Sequence, residues 1–294
     1  MNSLHVHAPA DFLFVCGGPF DATVNVAKSL RDAFLRMHAR GVLGEQEAFV
    51  AEGVQIFAPH GPYTDILEFE ADLAAMSDVV VLFSEASGSF AELGSFAVID
   101  EVAERLIVVV EDKHYRADSF IKHGPILYLN NKYGPESTYV LNLKDINVAS
   151  ASNLSSLDYQ AFEALMAKLM SERRNTSGGR SRFDKRRSSH IIKFIVGLIQ
   201  HYRVLSFDEI DVILYALGLN EFRSRIDRLI YCAEHAGWIY VEKRGFARYC
   251  SPIKEKRALY YKLKPQAKAI IRERWLAQIA DYWRKSDVMR FNII

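Results

Sequence analysis

Short apolar runs alternate with stretches of helical spacing through the first half of the chain. Phe12-Leu-Phe-Val-Cys16, ended by Gly17-Gly18-Pro19, reads as a buried strand followed by a tight turn. From Ala22 to Arg40, residues Val26, Leu30, Ala33, Phe34 and Met37 fall on one helical face. Val54–Ala58 reads as a second strand, closed by Pro59-His-Gly-Pro62, and 64–76 as a helix with Ile66, Leu67, Leu73 and Ala74 inward. Asp78-Val-Val-Val-Leu-Phe83 is a buried strand, and the small residues Ser84 to Ser89 lead into helical spacing at Phe90, Leu93, Phe96 and Ala97. Arg105–Val110 is a fourth strand; Ile126–Leu129 and Tyr139–Asn142 are shorter ones. This alternation predicts a Rossmann-like α/β fold, a parallel sheet flanked by helices. Its ligands belong beyond the carboxyl ends of the strands, where the loops after Cys16, Phe83 and Val110 collect.

The pattern changes after Ser156–Met170, which reads as a helix with Leu157, Phe162, Leu165, Met166 and Leu169 on one side. Between 172 and 189 all periodicity stops, and seven Arg or Lys stand against one Asp between 173 and 188. With Gly178-Gly179 inside it, this stretch predicts a flexible basic linker. Helical spacing resumes at Ile191, Phe194, Ile195, Leu198 and Ile199. Ser206-Phe-Asp-Glu209 is a capping box opening a helix that Gly218 ends, and Asn220 caps the next, 221–235. Trp238–Glu242, the turn Lys243-Arg-Gly245 and a returning Tyr260–Leu263 suggest a β-wing, and a last helix follows Pro265. Two helices joined by a short Gly-containing turn, then a wing, predict an α+β winged-helix domain. The expected division is 1–150, a helix and linker over 151–188, and 189–294.

Charge sharpens this division. The net charge of +1 conceals a balance of −13 over residues 1–172 and +14 over 173–294. An acidic half joined to a basic one suits a small-molecule site joined to a nucleic-acid module, or two halves that attract each other or a partner chain. The candidate phosphate and groove contacts are Arg180, Arg182, Lys185, Arg186 and Arg187 in the linker, Arg223, Arg225 and Arg228 on the second helix, and Lys243, Arg244 and Arg248 in the wing. A winged helix is also reused for protein contacts. Cys16, Cys232 and Cys250 offer neither a disulfide framework nor metal spacing, and His60, His114 and His123 share no close ligand spacing. No apolar run approaches about 20 residues and the start is not a signal sequence, so the chain reads as cytoplasmic without a membrane span.

Dinucleotide, P-loop and nucleophile-elbow fingerprints are absent from the sequence. What remains at the sheet edge is Gly17-Gly18, the Ser84–Ser89 loop, Glu92 in the helix that follows, and the carboxylates Glu68, Glu70 and Asp72. A helix N-terminus preceded by small residues suits phosphate or sugar oxygens, because its first N–H groups have no intrahelical partner. A carboxylate there could serve the macrodipole alone. It could also attack C1′ of a sugar or stabilise the oxocarbenium ion while a second acid handles the leaving base.

Phe14-Val-Cys-Gly-Gly-Pro-Phe20, Glu70 eight positions before Asp78, and Ser87-Gly-Ser-Phe-Ala-Glu-Leu-Gly94 carry a resemblance to the nucleoside 2-deoxyribosyltransferase-like family over residues ~11–130. The resemblance implies that Glu92 is the nucleophile on C1′ and that Glu70, in place of the usual Asp, contacts the base. Gly17, Gly18, Phe20, Asp78, Ser87, Gly88 and Ser89 would hold the substrate. A family carboxylate six positions before the nucleophile falls on Ala86, with Glu85 one place off. That departure suits a ligand with a 5′-phosphate or pyrophosphate.

Acidic domain, basic linker and winged helix together resemble the retron effectors that join a ribosyltransferase to a DNA-binding domain. Ser119-Phe-Ile-Lys-His-Gly-Pro-Ile126 carries part of that likeness. It implies an anti-phage toxin held by a reverse transcriptase and its branched RNA–DNA product, msDNA, in a homo-oligomer or higher-order complex. It also implies N-glycosidic cleavage of a nucleotide, with NAD⁺ the leading substrate and no resident cofactor or metal. The competing readings are a non-catalytic nucleotide-sensing DNA-binding regulator and a true deoxyribosyltransferase.

Overall fold

The computed structural model describes residues 3–42, 47–51, 61–174, 180–254, 256–261 and 271–293. In chain order come strands β1 (Leu4–Val6) and β2 (Phe12–Cys16), helix α1 (Leu30–Ala39), β3 (Glu47–Phe49), α2 (Ile66–Met76), β4 (Val79–Ser84) and α3 (Ser87–Ala97). Next are α4 (Asp100–Ala103), β5 (Leu106–Glu111), α5 (Asp112–Arg116), α6 (Leu127–Tyr133), β6 (Thr138–Leu141) and α7 (Tyr159–Arg174). Then follow β7 (Ser181–Arg182), α8 (Ser188–Tyr202), β8 (Leu205–Ser206), α9 (Phe207–Ala216), α10 (Ile226–His235), β9 (Ile239–Arg244), β10 (Ala247–Pro252), β11 (Leu259–Tyr261), α11 (Arg272–Ser286) and α12 (Val288–Phe291). The chain forms two compact units. A parallel-sheet unit comprises Asp11–Val54 and Leu73–Gly178; a mixed unit comprises Met1–Ala10, Gln55–Asp72 and Gly179–Ile294.

In the parallel-sheet unit the strands run β3-β2-β4-β5-β6, all parallel. Side chains alternate between the two faces of each strand. Leu13, Val15, Val79, Val81, Phe83, Ile107 and Val109 form a core with Phe34 and Met37 of α1 and Phe162 and Met166 of α7. On the opposite face Phe14 meets Phe96 of α3, with ring centroids 6.4 Å apart. Both faces are covered, which is why these strands read as continuous apolar runs rather than alternating ones. Helix α7, assigned by the sequence to the linker region, is part of this core.

Two expectations change here, and a third falls outside the described residues. The helix expected from Ala22 begins only at Leu30, because the Ser29 hydroxyl accepts the Asp32 N–H at 2.9 Å and caps it. The preceding loop is held against α1 by Arg36, which donates to the carbonyls of Asn25 and Asp21. The run Ile126–Leu129 is helical rather than a strand: a π-turn over Lys122–Ile126 leads into α6. Ile126 and Leu129 are buried while Leu127 and Tyr128 are exposed, an i, i+3 spacing that a four-residue apolar run does not reveal. The expected strand Val54–Ala58 lies outside the described residues.

The mixed unit is built on α8, whose Ile191, Ile192, Ile195, Val196 and Ile199 are fully buried. Strands β8-β10-β9 form one antiparallel sheet and β11-β1-β7 another. Ser206 and Glu209 make the expected capping box at α9, each side chain bonded to the other's backbone N–H. The second helix starts later than expected: Asn220–Arg225 is a 3-10 turn, and α10 follows. The wing also differs. Ile239–Arg244 pairs with Ala247–Pro252 across Gly245, whose φ of 62° suits a tight turn. Tyr260 and Tyr261 pair instead with His5 and Leu4. Within the expected linker, Ser181 and Arg182 add a strand to the same sheet, against Val6 and His5.

Candidate active site

The loops after β2, β4 and β5 meet at one edge because all three strands are parallel. At the first, Gly17 has a φ of 153°, and a Cβ there would lie 2.9 Å from Cβ of both Arg31 and Phe83. A Cβ on Gly18 would lie 2.7 Å from that of Ser29. Glycine is required at both places because the turn runs directly against α1 and β4.

Glu85 ties the two loops together. Its carboxylate accepts the N–H of Gly18 at 3.0 Å, of Leu30 at 2.7 Å and of Arg31 at 3.0 Å. It therefore occupies the N-terminus of α1 as a bound anion would. Burial raises its pKa, while the three N–H donors oppose the rise. The sequence placed this residue one position away from a family carboxylate; its structural task was not foreseen.

Beside it lies a cavity of about 220 Å³, lined by Leu30, Ser84 and Glu85, by Val109, Glu111, Lys113 and His114, and by 150–152. Ser84 is 2% exposed, and its hydroxyl has no hydrogen-bond partner among the described residues. A buried hydroxyl facing a polar cavity calls for a water or a ligand atom. Lys113 and Glu111 are paired across 2.6 Å, and the His114 ring packs edge-on to Phe90 of α3 at 5.3 Å. Glu111 and Lys113 were not singled out from the sequence; Ser84 entered only as part of the Ser84–Ser89 loop and His114 only as a histidine without ligand spacing. Their signal was position alone, at and just after the carboxyl ends of β4 and β5.

Helix α3 supplies the second feature. The Ser89 hydroxyl is fully buried; it accepts the N–H of Ala86 at 3.0 Å and of Glu85 at 3.1 Å, and donates to the Ala86 carbonyl. That side chain is consumed in capping. The backbone N–H groups of Ser87, Gly88 and Ser89 have no acceptor among the described residues. Ser87 and Gly88 are exposed, and the space where a Gly88 side chain would stand is open. Glu92 is half-buried one turn on, at i+4 from Gly88. Helical side chains lean toward the N-terminus, so Glu92 and the open Gly88 turn share one face.

The other expected substrate residues are dispersed. Phe20 is 42% exposed after the Gly17-Gly18-Pro19 turn. Asp78 accepts the Phe12 N–H at 3.0 Å at the amino end of β4. The full six-residue strand, about 20 Å, separates it from the loop that follows Ser84. Glu70 is 8% exposed on α2 and belongs to the mixed unit, whereas Glu92 belongs to the parallel-sheet unit.

In the mixed unit most expected nucleic-acid cations already have acidic partners. Arg223 is bidentate on Asp211 at 2.7 and 2.6 Å, Arg225 reaches Asp72 at 3.2 Å, and Arg228 pairs with Glu68. Arg186, Arg244 and Arg248 pair with Asp184, Glu242 and Asp227. Arg182 and Arg187 also have partners, while Lys185 and Lys243 are exposed without an ion pair among the described residues. Tyr63, which the sequence did not single out, donates to Asp72 at 2.9 Å and touches Cys232 Sγ at 2.9 Å. Burial pushes all three of these pKa values up.

Residues 27–241 match the family described as STM3845 retron effector protein. The chain belongs to that family. The effector is 32% identical over 118 residues to the Escherichia coli protein named "Retron Ec73 putative ribosyltransferase/DNA-binding protein", covering 39% of this chain and 36% of that one. It is 28% identical over 131 residues to its Escherichia coli counterpart from retron Ec86, covering 41% and 42%. It thus spans less than half the length of these curated relatives. Among the described residues of the effector, no helix is long and apolar enough to cross a membrane.

Proposed function

We propose that this retron effector is an N-glycosidase that cleaves the base–ribose bond of a nucleotide, with NAD⁺ the first substrate to test. The observation that carries the reading is the sheet-edge constellation. Among the described residues, the buried Ser84 hydroxyl that faces a polar cavity has no partner, and three N–H groups of α3 one turn before Glu92 have no acceptor. Such N–H groups suit phosphate or sugar oxygens. Glu92 attacks C1′, or stabilises the cation there, as the C1′–N bond breaks and the base leaves with the bonding pair. Water then forms a bond to C1′, breaking the C1′–O bond to Glu92 where one has formed and restoring the carboxylate, and its proton passes to solvent or to the departed base. The resemblance to deoxyribosyltransferases and the names of the relatives support the reaction class. Glu70 has the base-side role on that resemblance alone.

The order helix, strand, helix, helix, strand, strand over 188–252 supports a winged-helix reading of the mixed unit, and family membership supports association with retron components. We assign this unit to binding msDNA, with the reverse transcriptase as co-partner. The test of the catalytic reading incubates the effector, free and in its retron complex, with NAD⁺ and nucleotides and scores released base. Glu92→Gln should abolish release. If it releases base as fast as the wild type, the role of Glu92 is wrong; if neither form releases base from any nucleotide, the activity is wrong.

A further inference from the structure

A cavity of about 800 Å³ opens in the mixed unit between β1, β11, α8 and α11. Among the described residues, its lining includes three arginines, Arg180, Arg257 and Arg272, and no Asp or Glu. Arg180 and Arg257 are exposed and form no ion pair among the described residues. They differ in this from the arginines around α10, which are bound to acidic groups of the same chain. Two guanidinium groups, those of Arg180 and Arg257, thus face the cavity without a carboxylate partner among the described residues, and phosphate is the planar-fork acceptor that such groups match.

Aromatic rings line the same space. His201 stacks on Trp275 with centroids 4.8 Å apart and planes 22° apart. The indole Nε1–H of Trp275 donates to the His201 carbonyl at 2.9 Å, which fixes the pair. Arg180 lies over the ring of Tyr260, 3.7 Å from its centroid. Burial, with Arg257 and Arg272 adding to it, lowers the pKa of His201. Near neutral pH its imidazole is therefore an uncharged ring. The site also depends on a close approach: a Cβ on Gly197 of α8 would lie 2.4 Å from Cβ of Leu259 on β11. Only glycine lets these two walls stand so near.

We infer that this cavity binds nucleotides of a single-stranded nucleic acid, the arginines taking the phosphate while the aromatic residues take the face of an unstacked base. Stacking platforms beside a cationic track are how single strands are held without base-pair readout. The size suits one or two nucleotides and lies within the usual range for ligand cavities. The inference rests on the proposed nucleic-acid role of this unit and specifies where and how that role is performed.

The test measures binding of a fluorescent 5′-phosphorylated single-stranded oligonucleotide to the full chain by anisotropy over a salt series. A duplex of the same sequence and a nucleoside 5′-monophosphate serve as competitors. The single strand should bind more tightly than the duplex. Arg180→Gln and Arg257→Gln should each lower the salt slope by about 0.7. Trp275→Leu should weaken binding about five- to a hundredfold; its thermal melting transition shows whether it folds, and the two exposed arginine variants carry the test if it does not. Competition by the monophosphate that equals the oligonucleotide, and that the same variants abolish, would support the cavity chemistry with a free nucleotide as its source. Wild-type binding to single strands that all three folded variants leave unchanged would overturn the cavity and spare the nucleic-acid role. No binding to either nucleic acid or monophosphate would overturn both.

Discussion

Glu85 accepts the backbone N–H of Leu30 at 2.7 Å, so the N-terminus of α1 is filled by the chain's own carboxylate. With Gly18 and Arg31 as further donors, one side chain closes the turn after β2 onto the end of β4. The Gly18 N–H is therefore already taken by Glu85, whereas the N–H groups of Ser87, Gly88 and Ser89 have no acceptor among the described residues.

Removing that carboxylate strands three buried donors. Glu85→Ala should destabilise the protein by about 3 kcal/mol or more, and Glu85→Gln by less, since the amide keeps one acceptor. Urea unfolding measures both. A loss below about 1 kcal/mol for Glu85→Ala would contradict the bridging role.

Ser84 has the opposite profile. Its hydroxyl has no partner among the described residues, so Ser84→Ala should change stability by less than about 1 kcal/mol. If the hydroxyl meets substrate, kcat/KM for base release should fall about tenfold. Unchanged kinetics in a folded variant would remove Ser84 from the site.

Two ion pairs of the mixed unit should respond differently. Asp72 is buried and bonded by Tyr63 and Arg225, so Arg225→Ala should cost about 2–4 kcal/mol. It should also raise the Asp72 pKa further, because Arg225 opposes the upward push of burial. Arg228 pairs with the half-exposed Glu68, and Glu68→Gln should cost about 1 kcal/mol at most. Denaturation midpoints of the two variants decide the comparison.

Burial lowers the pKa of His201, with Arg257 and Arg272 contributing, and burial alone lowers that of His235. The unfolded chain then binds protons at these positions more readily than the folded one. Their contribution to stability is intact above the ordinary imidazole pKa near 6.5 and is lost as pH falls below it. NMR titration should find His201 below 6.5, and Arg257→Gln should shift it upward. A His201 titration at or above the ordinary value would contradict the burial argument.

Among the expected nucleic-acid residues, Lys185→Gln and Lys243→Gln should each reduce the salt slope of nucleic-acid binding by about 1. Arg223→Gln should reduce it less, because Asp211 already holds that guanidinium in two bonds. A larger effect at Arg223 would mean that the pair opens on binding.

Much of the architecture was legible in the sequence where one period dominated a long enough window. The strands at Phe12–Cys16, Val79–Ser84 and Leu106–Glu111 stand where apolar runs between turn residues put them. The Ser206–Glu209 capping box was readable because its two bonds are local. Short runs were not decisive: Ile126–Leu129 fits a strand as a string of apolar letters and a helix only once burial is known. Tyr260 and Tyr261 were assigned to the wing because hairpins are usually local, yet their partners lie at His5 and Leu4, far earlier in the chain.

The sequence by itself determined the alternating first half, the charge contrast, the glycine turn and the helix that carries Glu92, because propensity, periodicity and capping act between near neighbours. Only the tertiary structure decided that Glu85 is spent on the α1 terminus and that the arginines near α10 are satisfied by Asp211, Asp72 and Glu68. It likewise decided that Arg180, Arg257 and Arg272 converge on one cavity. Those outcomes depend on which side chains from distant segments arrive first at a donor or a charge. Hydrogen bonds and ion pairs form across space, without regard to separation along the chain.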